Sequence, residues 1–410
     1  MEVKYIPLKE LVSTVIDYRG KTPLKLGGEW SSKGGYRALS ALNVKTRGLV
    51  AEDKIRYVNK ELYNKWMKIE IERGDVLITS EAPFGQILQW NSDEKIVLSQ
   101  RLFALRFRKE QCSQYIYQYM ASTFFYGELK ARATGSTVEG LRQPALMKCK
   151  IALPSLPIQQ KIASILSTYD TLIENNNRRI RLLEQMAENL YKEWFVRFRF
   201  PGHEKMESSM SKKWDIRIKE LAQLKSGYAF KSSWFVDEGE AIAKIKDIGE
   251  TIMDTSSFSY VSKDNCIKAE KFLLTEGDLT IALTGATIGK ISIVPKHKGN
   301  IYTNQRLGKF FLGKNPIEKL PFLYCLFKQK AMVSNIINLS NSSSAQPNIS
   351  PEQIESIKIL GDKEVINSFN KACKHIFSMI LSIHSQNTLL TRQRDLLLPR
   401  LMSGKLEVKP

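Results

Sequence analysis

Residue types that support catalysis occur in this 410-residue chain, but not at working spacings. His203, His297, His375 and His384 form no His-Glu-x-x-His helix and have no cysteine pair at ligand spacing, so no metal site is expected. The cysteines, Cys112, Cys149, Cys266, Cys325 and Cys373, are odd in number, and the nearest two are 37 residues apart. That pattern fits neither a disulfide framework nor a zinc ribbon, and reduced thiols are expected. Gly285-Ala286-Thr287-Ile288-Gly289-Lys290-Ile291 has too few residues between its glycines for a phosphate loop, and isoleucine follows the lysine where Ser or Thr is needed. It predicts a tight turn between strands. No Pro-Asp dipeptide and no Asn-Pro-Pro-Tyr or Asp-Pro-Pro-Tyr motif is present, which removes the usual openings of a nuclease metal site and an amino-methyltransferase site. Glu81, Asp75 and Asp278 are the carboxylates a dispersed catalytic site would use, but they read as strand-turn residues. What remains is recognition chemistry: Gln100-Arg101 and Gln305-Arg306 pair an amide with a guanidinium, groups that bind phosphates and base edges.

The charge balance agrees. Sixty-two basic against 42 acidic residues give +20 and a pI near 9.6, an excess that implies a polyanionic partner. An anionic membrane is the weaker choice: no run of 18 apolar residues exists. Glu2, Lys4, Lys9 and Glu10 break up the start, so no signal peptide is expected.

The residues around the Gln-Arg pairs repeat. Arg37–Val44 resembles Ala241–Ile248, and Gly74-Asp75-Val76-Leu77-Ile78 resembles Gly277-Asp278-Leu279-Thr280-Ile281. Ala82–Gly85 resembles Ala286–Gly289, and Ser99-Gln100-Arg101-Leu102 resembles Asn304-Gln305-Arg306-Leu307. Four matches in one order, at offsets of 203 to 205 residues, mark a duplicated unit of about half the chain. Short β-branched and aromatic runs between Gly, Asn and Asp turns predict mixed, β-rich globules. The apolar stretches 114–120 and 321–327 predict packed helices, and Ser-rich loops at 134–137 and 340–344 close each globule.

A long helix is predicted after each globule. Ile158 to Arg197 contains no Gly or Pro, and Ile162, Tyr169, Asn176, Leu183 and Leu190 recur every seven residues. Ile165, Leu172 and Met186 fill the second seam position, with Arg179 interrupting it. The other helix runs from about Glu364 to Arg400 on Phe369, Ile376, Ile383, Leu390 and Leu397, with Pro399 and Gly404 marking its end. Two heptad segments of similar length predict intramolecular pairing, with Asn176 as a polar register residue. Residues 1–157 carry a net charge of +9 and residues 201–363 a net +5, so both globules are expected to meet polyanion.

Globule, helix, globule, helix, with Gln-Arg-Leu in each globule, resembles the DNA-specificity subunit of type I restriction–modification enzymes. The resemblance covers essentially the whole chain. It is carried by Leu153-Pro154-Ser155-Leu156-Pro157-Ile158-Gln159-Gln160-Lys161-Ile162-Ala163, Trp194-Phe195-Val196-Arg197-Phe198 and Arg394–Gly404. The Pro-rich approach is not repeated before the second helix, where Ile357-Lys358-Ile359-Leu360-Gly361 stands instead.

The resemblance implies an α+β fold with two β-rich target-recognition domains, 1–157 and 201–363, each reading half of a split site in double-stranded DNA. It also implies coiled-coil helices, 158–200 and 364–410, that separate them as an antiparallel pair with an internal pseudo-twofold repeat. Two methyltransferase subunits would hold those helices and bring S-adenosylmethionine chemistry; restriction–translocase subunits would bring ATP and magnesium. This chain would carry no cofactor, catalyse nothing, and work in a bacterial or archaeal cytoplasm on the nucleoid. The other readings are a scaffold that binds polyanion nonspecifically and a DNA-modifying enzyme with dispersed catalytic residues.

On the DNA reading, the first globule offers Arg19, Lys21, Thr22, Tyr36, Arg37, Gln100, Arg101, Ser136, Thr137, Arg142 and Gln143 as contacts. The second offers Lys225, Ser226, Tyr228, Lys231, Lys244, Gln305, Arg306, Ser343, Gln346 and Asn348. The Gln-Arg pairs suit phosphate contact or domain packing better than base reading, because residues common to both repeats cannot distinguish two half-sites.

Overall fold

A computed structural model describes residues 3–31, 34–135, 139–205, 215–340 and 347–408. The chain forms two compact units, one of residues 1–172 with 390–410 and one of residues 173–389. The fold is α+β in both.

Unit 1 is built on a four-stranded antiparallel sheet ordered Val12–Asp17, Leu102–Phe107, Val76–Thr79, Ile87–Gln89. Unit 2 has the same sheet in the same order: Gln223–Ser226, Leu307–Phe311, Leu279–Ala282, Ile291–Ile293. A second sheet in each unit contains one parallel pair, Tyr36–Leu39 with Ile96–Leu98 and Glu240–Ala243 with Ile301–Thr303. In unit 1 this sheet has three strands; in unit 2 it has five, because Phe235–Val236 and Leu273–Leu274 extend both edges. A two-stranded ribbon completes each unit, Lys4–Pro7 with Lys150–Leu153 and Asp215–Arg217 with Lys358–Leu360.

The repeat therefore holds at the level of topology, and its punctuation explains why. Gly74 and Gly277 open the Gly-Asp turns at φ +98° and +87°, where a side chain is disfavoured. The following strands read Val76-Leu77-Ile78-Thr79 and Leu279-Thr280-Ile281-Ala282, buried along their length as central strands must be. Gly285–Thr287 forms the expected short turn before Ile291–Ile293. The two apolar stretches are the helices Ser113–Met120 and Leu320–Lys328.

The first long helix spans Leu156–Tyr191 and passes into a π turn at Lys192–Val196. Its first part belongs to unit 1 and its remainder to unit 2. One seam is as the heptad predicts, through Ile162 and Asn176. The second lies one residue later than expected. Leu166, Ile180, Ala187 and Trp194 are buried, whereas Leu172 and Met186 are 46% and 58% exposed. From Ile162 both the third and the fourth residue onward satisfy a heptad; burial selects the fourth, and Arg179 then interrupts nothing.

The second long helix spans Lys363–Met402 and buries Ile366, Cys373, Ile380, Asn387, Arg394 and Leu401 at seven-residue steps. Pro399 lies inside it rather than ending it. In the last turn a proline forfeits a single backbone bond, and Gly404, at φ +74°, closes the helix. Within unit 2 the long helices run antiparallel: Asn176 donates to Asn387 at 2.9 Å, Asn387 donates to Asn177 at 2.8 Å, and Trp194 meets Phe369 edge-on. The amide pair bears out Asn176 as a polar seam residue. No helix of the described residues is long and apolar enough to cross a membrane.

Candidate nucleic-acid interface

Each four-stranded sheet ends, beside its Gln-Arg turn, in a matched set of three chain segments. In unit 1 the Ser80 N–H donates to Arg101 O at 2.9 Å, and the Leu141 N–H donates to Ser80 O at 2.9 Å. The Gln100-Arg101 turn, the segment after Val76–Thr79 and the approach to Arg142-Gln143 therefore adjoin. In unit 2 the Leu283 N–H donates to Arg306 O and the Ile349 N–H to Leu283 O, each at 3.0 Å. Gln305, Arg306 and Asn348 are brought together in the same way. Tyr228 joins them, accepting from the Gln305 N–H at 3.0 Å through its carbonyl. The chain passes so closely here that a Cβ on Gly227 would lie 2.1 Å from Thr303 O.

The two turns carry different electrostatics. Arg101 is exposed, sits at φ +64° and forms an ion pair with Glu81 at 3.1 Å. Arg306 is exposed, and its backbone N–H reaches Asn304 Oδ1 at 3.4 Å; it makes no ion pair among the described residues. The position after Leu283, which corresponds to Glu81, is Thr284.

Other predicted contacts are engaged elsewhere. Arg19 forks onto Asp17 with two bonds of 2.9 Å, stacks 3.8 Å over Phe103 and reaches Leu141 O at 3.4 Å, so it borders the turn with its charge already paired. Lys21 donates to Trp66 O at 2.8 Å; desolvation, with Lys68 nearby, pulls its ammonium below the usual lysine range. Thr22 accepts from the Lys25 N–H. Tyr36 stacks on Tyr63 at 4.0 Å, and Arg37 bridges Glu52 and Glu94 at 2.8 and 3.2 Å. Arg142 is exposed at the start of the Gln143–Leu146 helical turn.

In unit 2, Lys225 and Lys231 are exposed near the rings of Phe311 and Trp234, and Ser226 ends its strand. Tyr228 packs among Phe230, Trp234 and Phe272. Lys244 lies 3.7 Å over Phe235, and desolvation holds its ammonium low. Ser136, Thr137, Ser343 and Gln346 lie outside the described residues.

Asp75 and Asp278, considered above as catalytic carboxylates, are buried in salt bridges to Arg106 and Lys309 at 2.8 and 2.7 Å. Those pairs tie turn to strand. Among the described residues no group of His, Cys, Asp and Glu could hold a metal ion.

One polar network escaped the sequence reading. In unit 1, Asp170 of the first long helix accepts from Arg47 at 2.7 Å, Gln118 at 2.6 Å and Arg394 at 2.8 Å. Arg47 adopts φ +72° in the turn that joins the antiparallel strands Val44–Lys45 and Gly48–Leu49. Arg394 falls on the buried heptad that the structure reveals in the second helix, where an unpaired arginine is untenable; the seam read from the sequence did not include it.

A family model, the type I restriction modification DNA specificity domain, matches residues 2–185 and again 211–360. The MjaVIII specificity subunit of Methanocaldococcus jannaschii is 25% identical over 399 residues, covering 95% of this chain and 90% of that one. The MjaIX specificity subunit of the same organism is also 25% identical, over 82% and 78% of the two chains. The crystal structure of the S subunit of a type I restriction–modification system from M. genitalium superposes with a TM-score of 0.55 at 19% identity, over 98% of this chain and 96% of that one; the likeness is one of fold.

Proposed function

Because the chain belongs to the type I restriction modification DNA specificity family, we propose that it is the sequence-reading subunit of such a complex and binds a bipartite site in duplex DNA. One observation carries this reading. Both units present a Gln-Arg turn, flanked by polar segments, at the same end of the same four-stranded sheet. A duplicated surface of this kind suits a ligand that offers the same phosphate pattern twice. In this reading residues 1–157 and 201–363 are the recognition regions, with the contacts named above. Residues 158–200 and 364–410 hold the partners: two methyltransferase subunits that supply S-adenosylmethionine chemistry, and restriction subunits that use ATP and magnesium. The chain itself positions those activities and contributes no catalytic group.

Selection from a randomised duplex pool by the full chain with its partner subunits tests this. Enrichment of one split sequence supports it. Retention of duplex without any selected sequence favours a polyanion-binding scaffold, and turnover by the chain alone favours an enzyme.

A further inference from the structure

The two Gln-Arg turns share a backbone frame but differ in one neighbour. Ser80 and Leu283 both donate their N–H to the arginine carbonyl of the turn, which aligns the next residues, Glu81 in unit 1 and Thr284 in unit 2. Glu81 lies 3.1 Å from the Arg101 guanidinium, with the two side chains 41% and 53% exposed. Arg306 has no such carboxylate among the described residues. The contact is a single one, Glu81 Oε2 to Arg101 Nε, so the carboxylate offsets the guanidinium's charge at one corner of its fork, on a group that a phosphate would also seek. Arg101 is also held at φ +64°, a strained conformation for a residue with a side chain, as recognition turns often are.

We propose that Glu81 is a built-in phosphate mimic that gates Arg101. In the free protein it neutralises the guanidinium, and on binding a DNA phosphate takes its place. This rests on the DNA-binding reading above and deepens it: the second recognition region engages backbone with an open arginine, the first with a masked one. Exchange is cheap because the pair is open to water, and such pairs bias an equilibrium by at most about fivefold. The phosphate array supplies more than that through counterion release. The mask nonetheless taxes every encounter equally, so loose binding to arbitrary sequence is held down.

The test is a salt titration of duplex binding by the full chain with its partner subunits, on target and non-target DNA. Glu81→Gln should raise affinity about two- to fivefold on both and leave the log–log salt slope nearly unchanged, because Arg101 meets the same phosphate in either form. The gain should vanish when Arg101→Ala is added. Thr284→Glu should install the mask in unit 2, lowering affinity by a similar factor, again with little change in slope. Unchanged binding by Glu81→Gln while the parent binds normally overturns the gate and leaves the DNA reading standing. A change confined to one base pair also overturns it, because Glu81 would then be reading a base. If the parent complex binds no duplex, the reading itself fails and the gate with it.

Discussion

Units 1 and 2 solve one folding problem with different chemistry. Their four-stranded sheets are ordered identically, and each unit packs against its part of the long helices through an apolar core, to which unit 1 adds a charged network and unit 2 an aromatic cluster. Asp170, Arg47, Arg394 and Gln118 form a hydrogen-bonded network in unit 1. In unit 2, Tyr191, Phe195, Phe322 and Phe369 form an aromatic cluster with Trp194, ring centroids 4.8 to 6.5 Å apart. Apolar patterning and glycine turns preserve a topology through duplication; the side chains that finish the seam are free to diverge. Buried rings are non-directional and tolerate small shifts, whereas a carboxylate accepting from three donors specifies one arrangement.

The largest effects should come from breaking these seams. Phe369→Ala removes a fully buried ring and should cost about 3–5 kcal/mol by denaturant unfolding. Asp170→Ala leaves the Arg47 and Arg394 guanidiniums, 10% and 9% exposed, without their shared acceptor; a loss of about 3 kcal/mol is expected, and unit 1 should open first in hydrogen exchange. Equal loss of protection in both units would blur the distinction between them.

A smaller contrast lies in the turn-to-strand pairs. Arg106 forks onto Asp75 with bonds of 2.9 and 2.8 Å and also reaches Glu72, while Lys309 meets Asp278 through one nitrogen at 2.7 Å. Arg106→Lys gives unit 1 the chemistry of unit 2 and should cost about 1–2 kcal/mol, read as a lower denaturant midpoint with an unchanged slope.

Smaller still is the effect at the capped turns, where Asn43 corresponds to Asp247. Asn43 accepts from the Ser40 N–H at 3.1 Å and Asp247 from the Lys244 N–H at 2.8 Å, both fully within the protein. Desolvation raises the Asp247 carboxyl above its ordinary 3.8 despite bonds from Lys244 and Ser257. A raised carboxyl favours the folded state below 3.8, and that advantage is lost as pH rises through the folded-state value. Asp247→Asn should therefore be neutral or stabilising by up to about 1 kcal/mol at pH 7, the difference fading below pH 3.8. A clear loss at pH 7 would show that the charge is needed.

Much of this architecture was legible in residue spacing. The offsets linking Gly74 to Gly277 and Gln100 to Gln305 anticipated the matching sheets, and seven-residue steps anticipated both long helices. The second seam was misplaced by one residue because Ile165 and Leu166 are equally apolar, and packing alone decides between them. Pro399 read as a terminator because its position relative to the last backbone bond is set by Gly404. The two extra edge strands of unit 2 are two residues each, too short to carry a period. Partners such as Glu81 for Arg101 or Asp170 for Arg394 join residues 20 and 224 apart, and no local pattern reports them. Several predicted contacts, Arg37 and Lys21 among them, have the right chemistry but are already engaged within the protein.

On the proposed reading, this chain dictates which DNA sequence its complex acts on. Genome-wide mapping of methylated adenines in cells with and without the gene tests it most directly. A single split sequence, methylated only when the gene is present, is the predicted result; a methylation map that does not change on deletion would contradict it.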